Sequence, residues 1–230
     1  MKKIIVTGAS KGIGYSTALK LAENGHHVFA IARSEKNLLK LANENFSGEI
    51  TTISADLTNS EDINKIAFAL SDFEFVDALI NNAGALVNKP FMETTIEEWN
   101  SQFDINVLSS IRLIKALKVK FKKGSHIVNI SSMGGFQGSS KFPGLAAYST
   151  SKGALTILSE CISTEFAGDG IAVNCLCLGA VQTEMLEEAF PGYKAPTNPD
   201  EMGAFIANFA LSAHLFFNGK VLPVALNNPE

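Results

Sequence analysis

The stretch Thr7-Gly8-Ala9-Ser10-Lys11-Gly12-Ile13-Gly14 lies between a short apolar run and a segment with helical periodicity. Its glycines permit a tight turn and a close approach of the backbone to a ligand. Free N–H groups at the start of the following helix favour an anion such as a pyrophosphate. A glycine cluster alone is weak evidence, but the order strand, turn and helix strengthens it. The stretch therefore predicts a dinucleotide-binding loop, with candidate contacts at Gly8, Ser10, Lys11, Gly12, Ile13 and Gly14.

Short apolar runs alternate with longer amphipathic segments along the whole chain. Strands are predicted at residues 3–7, 28–32, 50–54, 76–81, 126–131, 171–178 and 221–224, and helices at 13–24, 35–45, 60–71, 96–122, 147–167 and 199–213. The predicted strands are rich in Ile and Val with little polar alternation, which is typical of parallel strands covered on both faces. The pattern predicts a doubly wound, Rossmann-type α/β fold, with a parallel sheet of about seven strands and helices on both faces. Residues 1–230 are expected to form one domain.

Local signals mark the ends of several predicted helices. Gly25 and Gly168 each follow a helical pattern, as C-terminal glycines do. Thr95 and Glu98 have the spacing of a capping box before the fourth helix. The basic residues 118–123 are interpreted as the solvated C-terminus of that helix.

The irregular residues 184–198 follow the carboxyl end of a strand, the edge where ligands bind in such sheets. This position and the apolar content of the segment favour a lid over a substrate, and a plain surface loop is the alternative. An apolar substrate pocket is suggested by Phe136, Phe142, Met185, Phe190 and Tyr193, any of which could instead belong to the core.

The residue after the second strand indicates the choice of cofactor. A site for NAD needs an acidic side chain there to accept from the ribose 2′-hydroxyl. This chain has Ala32 followed by Arg33, with Lys11 in the phosphate loop. A guanidinium can hold a 2′-phosphate through two hydrogen bonds, whereas a carboxylate would repel it. Arg33 therefore favours NADP, with a solvated surface arginine as the alternative.

Composition excludes several other classes of function. The formal net charge of -4 argues against nucleic-acid binding, which needs a basic surface. Cys161, Cys175 and Cys177 fit a reducing compartment, and the last two alternate along an apolar run, so they share one face of a buried strand. The histidines and cysteines lack metal-ligand spacing, so no metal site is predicted. Since no signal peptide or membrane span is evident, we expect a cytoplasmic protein without a membrane partner.

With these motifs in order, the chain resembles the short-chain dehydrogenase/reductase family over nearly its whole length. The matching pieces are residues 7–14, Asp56-Leu57, Asn81-Asn82-Ala83-Gly84, Asn106, Ser131-Ser132, Tyr148-Ser149-Thr150-Ser151-Lys152, Asn174 and residues 179–183. The resemblance implies a catalytic tetrad of Asn106, Ser132, Tyr148 and Lys152. It also implies cofactor contacts at Asp56, Leu57, Asn82, Ala83, Gly84, Gly179, Val181 and Thr183, besides Tyr148 and Lys152.

The resemblance further implies a role for each member of the tetrad. Tyr148 would donate a proton to the carbonyl oxygen or remove it in the reverse direction, and Ser132 would hydrogen-bond that oxygen. Lys152 would hold the nicotinamide ribose, and Asn106 would stabilise a water that relays protons to Lys152. A homodimer or homotetramer would form through the helices that contain Asn106 and Tyr148.

The spacing of Tyr148 and Lys152 agrees with this chemistry independently. Residues four positions apart lie on one face of a helix. A free tyrosine has a pKa near ~10, which is poorly matched to neutral pH. A positive charge about 4 Å away, at an effective dielectric of about 20, is worth up to about 4 kcal/mol. We therefore expect Lys152 to lower the pKa of Tyr148.

The chain departs from the family pattern at three places. Ser132 lies farther before Tyr148 than usual, and the intervening loop also contains Ser139 and Ser140. We expect Ser132 to meet the substrate, because it directly follows a strand. Leu178-Gly179 replaces the usual Pro-Gly pair, which predicts a softer turn. Residues 227–230 lack the acidic-glycine ending that is frequent in the family.

The leading hypothesis is an NADP(H)-dependent oxidoreductase that transfers a hydride between nicotinamide and a small carbonyl or alcohol, of the ketone, aldehyde or 3-oxoacyl type. A catalytically idle NADP-binding redox sensor or scaffold is the alternative from another class, which the intact Tyr148–Lys152 pair disfavours. An epimerase or dehydratase acting on a nucleotide sugar is a third possibility, although such relatives usually have a differently spaced glycine loop.

Overall fold

The strands align side by side in one parallel sheet. A computed structural model describes residues 1–226, and residues 227–230, with the C-terminal ending discussed above, lie outside the described part. The strands are β1 (Lys3–Thr7), β2 (His27–Ala32), β3 (Glu49–Ser54), β4 (Val76–Asn81), β5 (Phe121–Ser132), β6 (Ala172–Leu178) and β7 (Val221–Val224). Their order across the sheet is β3-β2-β1-β4-β5-β6-β7, and every paired neighbour is parallel.

Helices cover both faces of this sheet. They are α1 (Gly12–Glu23), α2 (Glu35–Ala42), α3 (Ser60–Ala69), α4 (Ile96–Phe103), α5 (Ser109–Leu117), α6 (Ala146–Glu165), α7 (Glu184–Ala189) and α8 (Pro199–Ser212). Successive strand residues point to opposite faces, so Ile4 packs in the core with α1, α2 and α8, whereas Ile5 packs in the core with α3 and α5. The predicted doubly wound Rossmann fold is thereby confirmed.

The position of the ligand cleft follows from the strand order. The chain runs from β1 outward to β3 and then returns to β4 on the other side of β1. The loops that leave the carboxyl ends of β1 and β4 therefore turn to opposite faces. Between them they leave the crevice in which ligands bind in open α/β sheets.

The helix predicted at residues 96–122 is wrong in its second half. A π-turn over Asp104–Leu108 separates α4 from α5, and α5 ends at Leu117. Strand β5 then begins at Phe121, not at residue 126, because Phe121 is buried and pairs with Val76. Of the basic run 118–123, Lys118 caps the C-terminus of α5, whereas the rest passes through a 3-10 turn into β5 and is not a helix terminus.

The capping predictions have mixed outcomes. The Thr95–Glu98 capping box is present, and Gly25 follows α1 with a φ of 77°. The prediction for Gly168 is wrong, because a 3-10 turn continues past α6 and Gly170 takes the left-handed conformation, with a φ of 68°. Residues 184–198, predicted to be irregular, begin with the short helix α7.

The two cysteines on β6 are core residues, as predicted. Cys175 and Cys177 are buried in a small cluster with Met133. Within residues 1–226, no helix is long and apolar enough to cross a membrane. Across the same residues, no three His, Cys, Asp or Glu side chains come together as a possible metal site.

Candidate active site

The phosphate loop after β1 has the backbone geometry that its glycines suggest. Gly8 and Gly12 have φ values of 68° and 57°, a conformation that other residues rarely adopt. A Cβ placed on Gly14 would collide with the carbonyl oxygen of Gly8, so α1 can approach β1 closely only with glycine there. Lys11 precedes α1 without a side-chain cap. The first N–H groups of α1 are therefore available to an anion in the cleft.

Hydrogen bonds fix this loop against the loop that follows β4. The Thr7 hydroxyl accepts from the backbone N–H groups of Asn82 and Ala83, each at 3.0 Å. In return, Asn82 Nδ2 donates to the carbonyl oxygen of Thr7 at 2.9 Å. A Cβ on Gly8 would lie 2.9 Å from Asn82 Nδ2, which leaves no room for a side chain. The loops after β1 and β4 are thus fixed to each other by these hydrogen bonds.

The end of β2 and the end of β3 form the wall where an adenosine would lie. Arg33 is exposed there. Asp56 accepts from the Thr58 backbone N–H at 2.9 Å and from the Thr58 hydroxyl at 2.7 Å. These two hydrogen bonds lower the pKa of Asp56, and the charge of Arg33 lowers it further. Asp56 is therefore held as a carboxylate next to an available guanidinium.

A cleft of about 1280 Å³ runs along this edge of the sheet. The structure brings almost all of the predicted site residues together around it. The exception is Asn106, which is buried, with 1% of its surface exposed. The predicted residues that line the cleft are Gly8, Ser10, Lys11, Gly12, Ile13, Gly14, Arg33, Asp56, Leu57, Asn82, Ala83, Gly84, Ser132, Tyr148, Lys152, Gly179, Val181 and Thr183.

Lys152 is buried at the base of the cleft, with 4% of its surface exposed. Its ammonium donates to the carbonyl oxygen of Ile130, at the end of β5, at 2.8 Å. Burial lowers the pKa of Lys152 to about 8, and the thiols of Cys175 and Cys177 oppose that shift weakly. The lysine therefore sits in a setting that makes its proton easier to release than in water.

Tyr148 does not have the pKa that the sequence predicts. Burial raises the pKa of Tyr148, and a hydrogen bond with Ser132 opposes the increase. The ammonium of Lys152 lies 6.0 Å from the centre of the tyrosine ring and is directed to Ile130. The expectation that Lys152 lowers the pKa of Tyr148 is therefore wrong for this structure, because the loss of solvation dominates and the Lys152 ammonium is directed to the Ile130 carbonyl oxygen.

Asn106 lies in the π-turn, and its side-chain amide is fully engaged. Its Oδ1 accepts from the Ala85 backbone N–H at 2.9 Å, and its Nδ2 donates to the Ala85 carbonyl oxygen at 3.0 Å. Nδ2 also donates to the Ser151 hydroxyl at 2.9 Å, which in turn donates to the Tyr148 carbonyl oxygen at 2.7 Å. A Cβ on Gly84 would lie 2.9 Å from Asn106 Oδ1 and 3.2 Å from Lys152 Nζ.

Sequence reasoning missed two groups in this arrangement. The first is Ser151, which stands inside the Tyr148–Lys152 motif but received no role. Ser151 is a small polar residue three positions after Tyr148 and one before Lys152, and this placement indicates a residue of the site. The second is the Ile130 carbonyl oxygen, a backbone acceptor of Lys152 that side-chain patterns could not reveal.

The serines after β5 differ in what they contact. The Ser132 hydroxyl accepts from the Gly134 backbone N–H at 3.1 Å and interacts with Tyr148. The Ser139 hydroxyl donates to the carbonyl oxygens of Met133 and Phe136 and accepts from the Lys141 ammonium. Neither Ser139 nor Ser140 lines the cleft. The placement of Ser132 opposite a substrate stays a prediction.

Three loops enclose the cleft beside Tyr148. They follow β4, β5 and β6, and hydrogen bonds join them: the Lys89 backbone N–H donates to the Gly144 carbonyl oxygen at 2.9 Å, and Asn88 Nδ2 donates to the Ala189 carbonyl oxygen at 2.8 Å. Their apolar side chains that line the cleft are here called the loop wall, which consists of Leu86, Phe142, Leu145, Met185, Leu186, Phe190 and Tyr193. Residue Phe136 of the predicted pocket packs instead against buried Met133 and the cysteines of β6.

Sequence relatives establish the family. The pattern of the short chain dehydrogenase family matches residues 2–194. An uncharacterized oxidoreductase of Listeria monocytogenes is 35% identical over 193 residues, which are 81% of this chain and 77% of the relative. An uncharacterized oxidoreductase of Staphylococcus epidermidis is 30% identical over 189 residues, which are 81% of this chain and 80% of the relative. The chain belongs to the short chain dehydrogenase family and is an oxidoreductase of that family.

Solved structures agree with this fold. L-sorbose reductase from Gluconobacter frateurii, solved in complex with NADPH and L-sorbose, superposes with a TM-score of 0.87 at 24% identity, covering 100% of this chain and 97% of that chain. A dehydrogenase/reductase from Sinorhizobium meliloti superposes with a TM-score of 0.86 at 24% identity, covering 97% and 93%. At this level of identity the likeness establishes the fold alone.

Proposed function

We propose that this protein is an NADP(H)-dependent reductase that transfers a hydride between nicotinamide and a small carbonyl or alcohol, of the ketone, aldehyde or 3-oxoacyl type. The observation that carries the proposal is the meeting of Ser132, Tyr148 and Lys152 in the same cleft as the phosphate loop. Cofactor binding and catalysis would then belong to one domain spanning residues 1–230.

The cleft residues fit a dinucleotide. Gly8 and Gly12 keep the phosphate loop free of side chains, and the uncapped first turn of α1 offers N–H donors to a pyrophosphate. Gly84 leaves open a space bordered by Asn106 and Lys152 that a side chain would fill. When bound, the nicotinamide supplies or accepts the hydride. The predicted cofactor contacts at Leu57, Ala83, Gly179, Val181 and Thr183 all line this cleft.

Three observations support NADP over NAD. Arg33 is exposed at the end of β2, where a 2′-phosphate would lie, and Lys11 is exposed in the phosphate loop. The Asp56 carboxylate, whose pKa the Arg33 charge lowers, accepts two hydrogen bonds from Thr58 through Oδ1. L-sorbose reductase, which shares the fold, binds NADPH. Arg33 would form the bidentate contact, and Lys11 would add a second positive charge.

The proton is proposed to come from Tyr148. Because its pKa is raised, Tyr148 carries its proton at neutral pH and can donate it to a carbonyl oxygen. Ser132 would donate a second hydrogen bond to the same oxygen and stabilise the charge that develops there. Lys152 would hold the nicotinamide ribose from its buried position. Asn106 and Ser151 would keep the helix α6 backbone at Tyr148 in register with the cofactor loop.

Assembly and location extend the proposal. Helices α4 and α6 each present an exposed apolar side chain, Ile96 and Ile157, which are 68% and 60% exposed. We propose that these helices form a homodimer or homotetramer interface, as the family resemblance implies. The cytoplasmic location stays a prediction from the sequence.

The test is an NADPH-oxidation screen across ketones, aldehydes, quinones, pterins and acyl thioesters, repeated with Tyr148→Phe. The variant lacks only the transferable proton, so NADPH should still bind while turnover falls by about 10²–10⁴-fold. Binding is measured by the fluorescence of the cofactor and turnover by its absorbance. A protein that binds NADPH but turns over none of these compounds is instead the idle redox sensor or scaffold. Wild-type turnover in Tyr148→Phe would refute the proposed mechanism.

A further inference from the structure

The loop wall lies directly beside the reacting groups. Leu145 is the residue before α6, and its carbonyl oxygen accepts from the Ser149 backbone N–H in the turn that carries Tyr148. The hydrogen bonds that join the three loops hold the rest of the wall to Leu145. A substrate whose carbonyl meets Tyr148 must therefore place its remaining atoms against these side chains.

The protein itself leaves much of the loop wall uncovered. Helix α7, which carries Met185 and Leu186, has no buried residue. Phe142 is 37% exposed and Tyr193 is 48% exposed, although both line a cleft. Each Å² of apolar surface that a ligand removes from water stabilises the complex by about 25 cal/mol. The wall thus favours a ligand that is apolar next to its carbonyl.

The three loops that carry the loop wall also contain Lys89, Lys141 and Lys194, none of which lines the cleft. The Lys89 ammonium pairs with Glu98 at 3.1 Å. The Lys141 ammonium donates to the Phe136 carbonyl oxygen and the Ser139 hydroxyl, each at 2.7 Å. Lys194 is exposed but does not line the cleft. An anionic group on the substrate would therefore be desolvated without a partner, which is costly.

Of the charged side chains that line the cleft, Lys11, Arg33 and Asp56 lie at the phosphate loop and at the ends of β2 and β3, and the others have their own positions or partners. Asp104 pairs with Arg112 at 2.6 Å, and Lys152 is buried on Ile130. Glu184 lies by the phosphate loop, with Oε2 3.7 Å from a Cβ placed on Gly12. The exposed Glu187 and Glu188 on α7 add negative charge outside the wall. The electrostatics around the wall thus disfavour anions.

We propose that the substrate is an uncharged apolar ketone or aldehyde, and that carboxylates, phosphate esters and sugars are poor substrates. This inference rests on the proposed function. In the reduction, the carbonyl carbon gains a hydride, with its two electrons, from NADPH, which becomes NADP⁺. The carbonyl oxygen gains the Tyr148 proton, which solvent then replaces, so the product is the neutral secondary or primary alcohol.

A matched pair of ketones tests the proposal. Methyl para-acetylbenzoate and para-acetylbenzoate share the same acetyl group and ring, and only the second is an anion at neutral pH. The kcat/KM of the ester should exceed that of the carboxylate by roughly a hundredfold or more. 1,3-Dihydroxyacetone, a ketone with two hydroxyl groups that cannot close to a five- or six-membered ring, should also react roughly a hundredfold more slowly than the ester. Equal kcat/KM values for the ester and either competitor would overturn the proposal and leave the enzyme class intact.

Variants of helix α7 test whether the loop wall causes this selectivity. Leu186→Arg places a cation in the loop wall and should raise kcat/KM for para-acetylbenzoate by about tenfold relative to the ester. Leu186→Gln is the matched uncharged control. Glu188→Lys changes the net charge more but lies outside the cleft, so the selectivity should stay near that of the wild type. An equal gain in Glu188→Lys would mean that net charge, not the wall, decides selectivity.

A binding measurement separates this inference from the proposed function. The neutral dye Nile red should fluoresce on the NADPH-loaded protein, and the ester should displace it at lower concentration than the carboxylate. If no compound is reduced but this displacement order holds, the proposed function fails and the apolar pocket stands. If the dye does not bind, or the carboxylate displaces it equally well, the apolar pocket is refuted.

Discussion

Ser132 and Ser139 form a matched pair for testing the catalytic assignment. Ser132 is the last residue of β5 and Ser139 lies in the loop that follows, and each change to alanine removes one oxygen atom. The Ser132 hydroxyl faces the cleft and interacts with Tyr148, whereas the Ser139 hydroxyl is used within its own loop. We expect Ser132→Ala to lower kcat by about 10²–10³-fold, the usual effect of losing one donor to a developing oxyanion.

The structure also predicts a change in pH dependence. The hydrogen bond from Ser132 lowers the pKa of Tyr148 against the effect of burial. Without it, burial acts alone and the pKa of Tyr148 rises further. In the alcohol-oxidising direction, where Tyr148 must act as a base, the rate of Ser132→Ala should therefore begin to rise at a higher pH. Ser132→Thr, which keeps the hydroxyl, should restore the profile of the wild type.

The control has a different signature. Ser139→Ala should cost about 1 kcal/mol of unfolding free energy through its lost loop hydrogen bond, with kcat within about twofold of the wild type. Urea unfolding and steady-state kinetics over a pH series measure both quantities. Loss of turnover in Ser139→Ala with near-normal turnover in Ser132→Ala would reverse the assignment. The longer loop between Ser132 and Tyr148 would then have moved the catalytic serine to position 139.

Two further predictions concern cofactor choice and stability. Arg33→Ala should weaken NADPH binding by about tenfold to a hundredfold and leave NADH binding unchanged, because a charge-assisted hydrogen bond is worth about 1.5–3 kcal/mol; equal affinities of the wild type for both cofactors would contradict this. Burial lowers the pKa of His126 from 6.5 to about 4. Between pH 4 and pH 6.5 the unfolded state binds more protons than the folded state. The free energy of unfolding is therefore highest above pH 6.5 and falls by about 3 kcal/mol as the pH drops through 4. His126→Asn should lose less stability over that range in urea unfolding, and parallel profiles would refute the role of His126.

The geometry around His126 explains the direction of that shift. Its Nδ1 lies 3.1 Å from the Ala210 carbonyl oxygen, so Nδ1 carries the proton of the neutral ring. Its Nε2 lies 2.9 Å from Asn174 Nδ2, which donates to it. A second proton on Nε2 would face this donor, and Asn174 is held by its other hydrogen bonds to Phe217 and Lys220. Protonation therefore breaks a buried network.

The fold was predictable where short-range patterns decide it. The phosphate loop depends on glycine conformations within residues 7–14 and on the strand and helix that directly flank them. Strands β1, β4 and β7 have their predicted bounds, and for β1 and β4 the reason is that buried parallel strands are continuous apolar runs between turns. The cofactor-facing residues then follow from the topology, which gathers the carboxyl ends of the strands at one edge.

The π-turn was beyond the reach of sequence periodicity. Residues 96–117 have a continuous helical pattern, and nothing in it requires a wider turn at Asn106. The turn coincides with the hydrogen bonds of Asn106 to Ala85 and Ser151, which lie 21 and 45 positions away in sequence. A local pattern cannot report partners that the fold supplies.

The error on Tyr148 has a related cause and a functional consequence. Spacing on a helix places Lys152 near Tyr148, but burial and the Ile130 carbonyl oxygen decide where the ammonium is directed. The raised pKa keeps Tyr148 protonated at neutral pH, which is the form that carbonyl reduction needs. Alcohol oxidation needs the phenolate, which burial disfavours. The same loss of solvation that defeats the sequence argument therefore keeps Tyr148 in its proton-donating form at neutral pH, and alcohol oxidation needs a higher pH.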